Sequence, residues 1–238
     1  LRTVAAAIVC KTPEPGKSKT RLSPPLRPED CAAISACFIQ DLAATISDLI
    51  ADGGVTGYAL YTPVGSEPRL RGLIPAHFEI HPQRGDAFGE RLMYGAIDLL
   101  ERHKGVILIN SDSPTLPLSI LRDTVAAINA GDNVVLSPAH DGGYTLIGLS
   151  RMHTRLFEDI PWSTSSVHEL TLERAAEIDL PVVNVDGWYD VDDASSLQML
   201  ESEFSGSACF SPINGASAPA TRRFLEARAL AMSSSPSP

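Results

Sequence analysis

A Rossmann-like α/β fold, a three-layer α/β/α sandwich around a mostly parallel mixed sheet, is predicted by three features of this sequence. Short apolar runs of strand length alternate with stretches whose apolar residues recur every third or fourth position, the order expected when helices cover both faces of a parallel sheet. Residues 105–110 contain Val106, Ile107, Leu108 and Ile109 in succession, as a central strand buried on both faces requires. A chain of 238 residues with 44% hydrophobic and 20% charged composition is long enough for one domain with a substantial core.

Residues 3–10 read as the first strand, a short apolar run that stops at the Pro/Gly-rich loop 11–28. A long amphipathic helix follows over 29–50. Its Ile34, Phe38, Leu42, Ile46 and Leu49 are spaced by four or three, Pro28 precedes the start and Gly53-Gly54 follows the end. The second strand falls at 55–61, a weak helix at 67–72, a short third strand at 78–81 and a helix at 88–100 carried by Leu92, Ala96 and Leu99. After the central strand come a helix over 118–130, strands at 133–137 and 144–149, a helix over 166–178, a strand at 182–185 and a helix at 195–200. Residues 1–204 then form the domain. From Ser205 the composition turns to Ser, Ala, Pro and Gly, so 205–238 is expected to be a mobile tail with one short helix near 222–232.

The formal net charge is −10 and the basic residues are not pooled on one long segment, so an extended polyanion such as DNA would be repelled. A small anion needs a local basic pocket, which makes any tight cluster of Lys and Arg informative. No apolar run approaches the ~18 residues of a membrane helix, and no basic, apolar and small-residue leader opens the sequence. The expectation is a cytoplasmic protein without a nucleic-acid or membrane partner, for which a homodimer stays open. Cys10, Cys31, Cys37 and Cys209 show no CxxC spacing and read as reduced packing residues.

Three loops carry polar groups at expected strand ends, where open α/β sheets place their ligands. In the first, Lys11, Lys17, Lys19 and Arg21 supply four cations within eleven residues, Thr20 adds a hydroxyl, and Gly16 lets the backbone bend around a bound group. That chemistry suits a polyphosphate, and it also fits a solvated basic loop. It is not a P-loop, because Lys11 stands where the first glycine would be needed.

The second constellation is Asn110-Ser111-Asp112-Ser113-Pro114, a carboxylate following an apolar strand. Magnesium keeps several waters and takes one or two carboxylates beside substrate phosphates, so Asp112 with one partner would suffice. Asp190 and Asp192 alternate within the acidic run 186–193 and would share one face of an extended segment. The same run also fits a turn that caps the helix at 195–200. The third loop brings Asp141 with Gly142 and Gly143, where backbone amides could approach an acceptor and Asp141 could act as a base, although Asp-Gly-Gly is also an ordinary turn. Trp162 could stack on a base or sugar, or pack in the core.

Taken in order, residues 11–22, 83–92, 111–117, 138–149, 162–164 and 190–192 resemble a bacterial family of glycosyltransferase-A-type proteins, related in fold to the phospholactate guanylyltransferases and the nucleotide-diphospho-sugar transferases. The resemblance covers about residues 4–203. One departure is Ala87, where the family usually has an acidic residue; here the acid is Asp86. The resemblance implies a nucleotide-diphospho-sugar transferase fold, with Asp112 at the metal position, Asp192 as a second metal carboxylate, and Lys17, Lys19 and Arg21 at the donor phosphates. Gln83 and Gly85 belong to its second nucleotide loop. The implied cofactor is magnesium or manganese.

The expected activity is transfer from a nucleotide donor to a small-molecule acceptor, with Lys19, Arg21, Asp112 and Asp141 as the catalytic set. Nucleotidyl transfer from a nucleoside triphosphate to a phosphorylated or carboxylated acceptor is favoured by the cations of the first loop. Glycosyl transfer from a nucleotide sugar is favoured if Asp141 contacts a sugar or serves as base. A noncatalytic nucleotide-binding protein would keep the basic loop, but intact Asp112 and Asp192 argue against it.

Overall fold

Seven strands form a single sheet in a computed structural model that describes residues 2–207 and 211–233. The elements run β1 (Val4–Lys11), α1 (Pro28–Ala51), β2 (Val55–Thr62), α2 (Glu67–Arg71), β3 (Glu79–Pro82), α3 (Phe88–Leu100) and β4 (Gly105–Asn110). They continue as α4 (Leu118–Ala130), β5 (Val134–Pro138), β6 (Tyr144–Leu149), α5 (Val167–Glu177), β7 (Val182–Asn184), α6 (Ala194–Ser205) and α7 (Pro219–Ser233). The sheet order is β3-β2-β1-β4-β6-β5-β7, parallel except for β6, which pairs antiparallel with both β4 and β5. The sheet is therefore mixed and mostly parallel, as expected.

The two-residue period of the central strands divides the core into two layers. Val4, Ala6, Ile8 and Cys10 of β1 face α1, whose Ile34, Phe38, Leu42, Ile46 and Leu49 are all buried. Ala5 and Ala7 face the opposite layer, with Leu92, Ala96 and Leu99 of α3. In β4, Ile107 and Ile109 join the first layer and Val106 and Leu108 the second. α1 is 24 residues long with a window of mean hydropathy 1.4, enough on length and composition to cross a membrane, which run length alone misses. Its apolar stripe is packed in the core, so its hydropathy is that of a buried helix.

Two short 3-10 turns, Thr20–Leu22 and Thr154–Phe157, have no periodic signature and are not foreseen from the sequence. α6 extends past the expected 195–200, with a cap at Asp193 and a stop at Gly206, whose φ is 68°. Cys10, Cys31 and Cys37 are free, and Cys209 lies outside the described residues. So do residues 208–210 and 234–238 of the expected tail. The helix expected near 222–232 is present as a fifteen-residue helix over 219–233, and it is tied to α1. The tie is Asp41, only 3% exposed, which accepts from Ala220 N at 2.9 Å, Thr221 N at 2.8 Å and Thr221 Oγ1 at 2.6 Å. A carboxylate on the first amides of α7 both caps the helix and meets its dipole. Asp41→Ala strands those donors and is expected to cost about 1–3 kcal/mol, read as a lower Tm and faster amide exchange in 219–233.

Candidate functional site

The carboxyl ends of β1 and β4 open onto a cleft of about 440 Å³, and backbone hydrogen bonds bring the distant acidic segment to it. Val191 N donates to Asp112 O at 2.8 Å, which lays residues 190–192 beside the turn after β4. Upstream, Trp188 N donates to Pro138 O at 3.0 Å, and Ser137 Oγ donates to Asp186 O at 2.7 Å. Trp188 and Tyr189 are 3% exposed and Val191 is fully buried, so the segment is anchored through its apolar members. Trp188 Nε1 donates to Thr115 Oγ1 at 3.2 Å, and Tyr189 OH donates to Glu203 of α6.

Asp190 and Asp192 then project to one side with Asp141, each offering an oxygen within 4.8 Å of the others. Asp141 comes from the loop between β5 and β6, where its Oδ1 accepts from Gly143 N at 2.9 Å. A Cβ on Gly142 would fall 2.0 Å from Ser165 O, so that tight turn admits only glycine. Sequence reasoning gave Asp141 to the acceptor or to base chemistry and put the metal on Asp112, Asp190 and Asp192. Asp141 in fact stands in the acidic group, and Asp112 lies across Lys19 from it.

Lys19 stands between two of these carboxylates. Its backbone is left-handed, with φ 49°, and its side chain is only 7% exposed. Nζ lies 2.8 Å from Asp112 Oδ1, 2.8 Å from Asp192 Oδ1 and 2.7 Å from Val191 O, and 5.6 Å from the Phe38 ring centroid. Burial opposes its charge, yet Asp112 and Asp192 carry the net pKa above that of an ordinary lysine. In the fold Lys19 is thus paired internally with both carboxylates.

The remaining residues of the first loop are dispersed. Lys17 is 61% exposed and pairs with Glu14 at 2.9 Å, while Lys11 Nζ donates to Lys17 O at 3.1 Å. Gly16 makes the bend with φ 72°, and Thr20 opens the 3-10 turn. Lys11 and Arg21 do line the cleft, Arg21 with its nearest carboxylate, Asp193, at 3.9 Å. Gln83 Nε2 ties the ends of β1 and β2 by donating to Cys10 O at 3.1 Å and Leu60 O at 2.7 Å. Gly85 has φ 107° and would crowd Glu90 if it carried a Cβ. Gly143 and Trp162 also line the cleft. Asp193 serves as the cap of α6, accepting from Ser196 N at 2.9 Å, so the acidic run 186–193 both caps a helix and faces the cleft.

Asp190 shows what this crowding costs. Burial pushes its carboxyl up to about 7, and the charges of Asp141, Asp192 and Asp112 add to the shift. Since the folded value lies above the unfolded one, the group contributes stability that is complete below about 3.8 and lost as pH rises through about 7. A divalent cation on ionised carboxylates must displace that proton. Magnesium is therefore expected to raise Tm more above pH 7 than below it, and Asp190→Asn should flatten the difference in melts run on both sides.

Sequence reasoning singled out Trp162 but missed the residues that gather with it along the cleft. Phe88, Arg91 and Leu92 of α3 line it with Tyr144 and Trp162. Trp162 meets Phe88 edge-on at 5.7 Å and stacks with Phe157 at 6.3 Å. A Cβ on Gly89 would fall 2.1 Å from Trp162 Nε1, so the glycine is what lets the indole lie on the start of α3. The only signal available was Phe88-Gly89 at a helix start, which does not announce a partner at position 162.

Comparison with known proteins places this architecture. A protein from Desulfovibrio desulfuricans G20, solved as a candidate nucleotide-diphospho-sugar transferase, superposes with a TM-score of 0.81 at 24% identity, over 97% of this chain and 96% of that one. CMP:2-keto-3-deoxy-manno-octonic acid synthetase complexed with CTP gives 0.57 at 9% identity, over 87% and 100%. Glucosyl-3-phosphoglycerate synthase from Mycobacterium tuberculosis, with Mn2+, UDP and glucosyl-3-phosphoglycerate, gives 0.51 at 16%, over 84% and 75%. At these identities the likeness is one of fold, and the fold is that of the nucleotide-diphospho-sugar transferases. No curated protein matches the sequence. A family model described as "Uncharacterized protein conserved in bacteria" (DUF2064) matches residues 45–164, half of the chain, and the chain belongs to that family.

Proposed function

We propose that this protein is a metal-dependent nucleotidyltransferase, moving a nucleoside monophosphate from a nucleoside triphosphate to a small phosphorylated or carboxylated acceptor. The observation that carries the reading is the pairing of unlike charges across one cleft. Asp141, Asp190 and Asp192 gather within 4.8 Å of one another, while Lys11 at the end of β1 and Arg21 in the following 3-10 turn line the same cleft. Three carboxylates, one with its pKa driven up to about 7, are a hard oxygen donor set suited to magnesium or manganese. When bound there, the cation would neutralise phosphate oxygens.

The chain's own groups supply the rest. Lys11 and Arg21 bind the β- and γ-phosphates and stabilise charge on the departing pyrophosphate. Lys19 holds Asp112 and Asp192 in register. An acceptor oxygen attacks the α-phosphorus and forms a new P–O bond as the bond to the bridging oxygen of the β-phosphate breaks. Pyrophosphate leaves with the electron pair. The CTP bound by the synthetase of like fold supports a nucleoside triphosphate donor.

Glycosyl transfer from a nucleotide sugar is the second reading, supported by the UDP complex of the mycobacterial synthase. The membership of Asp141 in the acidic group weighs against it, because that carboxylate is then engaged with the cation rather than free as a base. Product analysis separates the two. Each nucleoside triphosphate and nucleotide sugar is incubated with magnesium and a panel of small phosphate esters and carboxylates. Acceptor-dependent pyrophosphate release is expected, and consumption of nucleotide sugar without it would overturn the proposal in favour of glycosyl transfer.

A further inference from the structure

Arg91 lies on the first turns of α3, at the wall of the cleft formed by Phe88 and Trp162. Its Nη1 donates to Asp86 O at 2.7 Å, which fixes the side chain, and its guanidinium lies 5.8 Å from the Phe88 ring centroid. Its Nε is buried without a hydrogen-bond partner, a costly state for a charged donor. Among the described residues Arg91 has no carboxylate within salt-bridge distance, whereas Arg21 approaches Asp193. A guanidinium anchored through Nη1, with no carboxylate partner and beside an aromatic wall, is suited to an oxyanion. Tyr144 and Trp162, with ring centroids 6.5 Å apart, line the same cleft and offer apolar ring surface to the organic part of a ligand.

We propose that Arg91, with Phe88 and Trp162, forms an anion subsite that takes the carboxylate or phosphate monoester of a small acceptor. The subsite rests on the reading of the cleft as a transferase site only for the word acceptor; the anion binding itself does not. It also accounts for Gly89, since any side chain there would push Trp162 off the wall.

The test uses the full chain and tryptophan fluorescence, with inorganic phosphate and lactate as separate probes. Trp162 is at the wall and the other tryptophan, Trp188, is buried in the core, so the response is expected to vanish in Trp162→Phe. At least one of the two anions should perturb the wild-type signal saturably. Arg91→Met should weaken that anion about ten- to a hundredfold, and Arg91→Lys should recover only part of it. Arg122→Ala, whose guanidinium pairs with Asp52 outside the cleft, should leave it unchanged, and circular dichroism melts confirm that each variant is folded. Equal anion affinity in wild type and Arg91→Met, or no response to either anion, would overturn the proposal. The donor reading is checked apart: if magnesium with nucleoside triphosphates leaves Tm unmoved while the anion response follows Arg91, the transferase assignment fails and the anion subsite stands.

Discussion

Lys19→Met is expected to lower Tm by several degrees and to remove turnover, a larger effect than any other single change in the first loop. The substitution keeps an unbranched side chain over Phe38 but takes the charge from between Asp112 and Asp192. Removing one partner of a fully buried pair costs about 3–5 kcal/mol. Here Asp112 and Asp192 are 32% and 35% exposed, so water relieves part of the loss. An estimate of about 1–3 kcal/mol follows, or about 2–4 °C per kcal/mol for a chain of this size. The same charge at an exposed phosphate-binding position, such as Arg21 at 71% exposure, would leave Tm nearly unchanged when removed. Melting curves of Lys19→Met and Arg21→Ala measured together therefore separate an internal counter-ion from a ligand contact. Equal melting temperatures for Lys19→Met and wild type would return Lys19 to the role that the sequence suggests for it.

The fold is legible in the sequence because its signals are local. α3, β4, α4 and β6 coincide with their expected spans, each being a clear apolar period bounded by Gly, Pro or polar residues. The 3-10 turns are not legible, since three or four residues cannot display a period. The docking of α7 is not legible either. It depends on Asp41 in α1, which the sequence shows only as one acid in an amphipathic helix. Low apolar content in a tail argues against a core of its own, but Leu225 and Phe224 join the core of the main domain and three hydrogen bonds to one buried carboxylate fix the start of the helix.

The site was legible by chemical type and not by pairing. Asp112, Asp190 and Asp192 are recognisable as carboxylates at strand ends, and the alternation of 190 and 192 correctly puts them on one side of Val191. Which cation would meet them is a question of tertiary contact. Lys19 is more than ninety residues from Asp112 and 173 from Asp192, so density of cations in the loop is read as phosphate binding when one of them is spent internally. Arg91 is the converse case. In sequence it is one charged residue of an amphipathic helix, and only the fold brings it to the cleft.

Asp192→Ala and Asp112→Ala, compared in one experiment, distinguish the acidic group seen in the fold from the metal position that the sequence suggests. Asp192 belongs to the group with Asp141 and Asp190, whereas Asp112 reaches that group only through Lys19. Losing an outer partner of a metal site typically costs about ten- to a hundredfold in affinity, so Asp112→Ala should weaken manganese binding by about that much or less. Asp192→Ala removes a donor outright and should exceed about a hundredfold, with pyrophosphate release abolished. Each variant leaves Lys19 one carboxylate, so their melting temperatures should be similar, and the difference in affinity cannot then be assigned to unfolding. The measurement is manganese titration by electron paramagnetic resonance for both variants and wild type, beside their melting curves. If Asp112→Ala loses as much affinity as Asp192→Ala, the cation sits between those two residues and displaces Lys19. If both variants bind manganese as the wild type does, the acidic group is a solvated turn held by its lysine, and metal dependence fails with it.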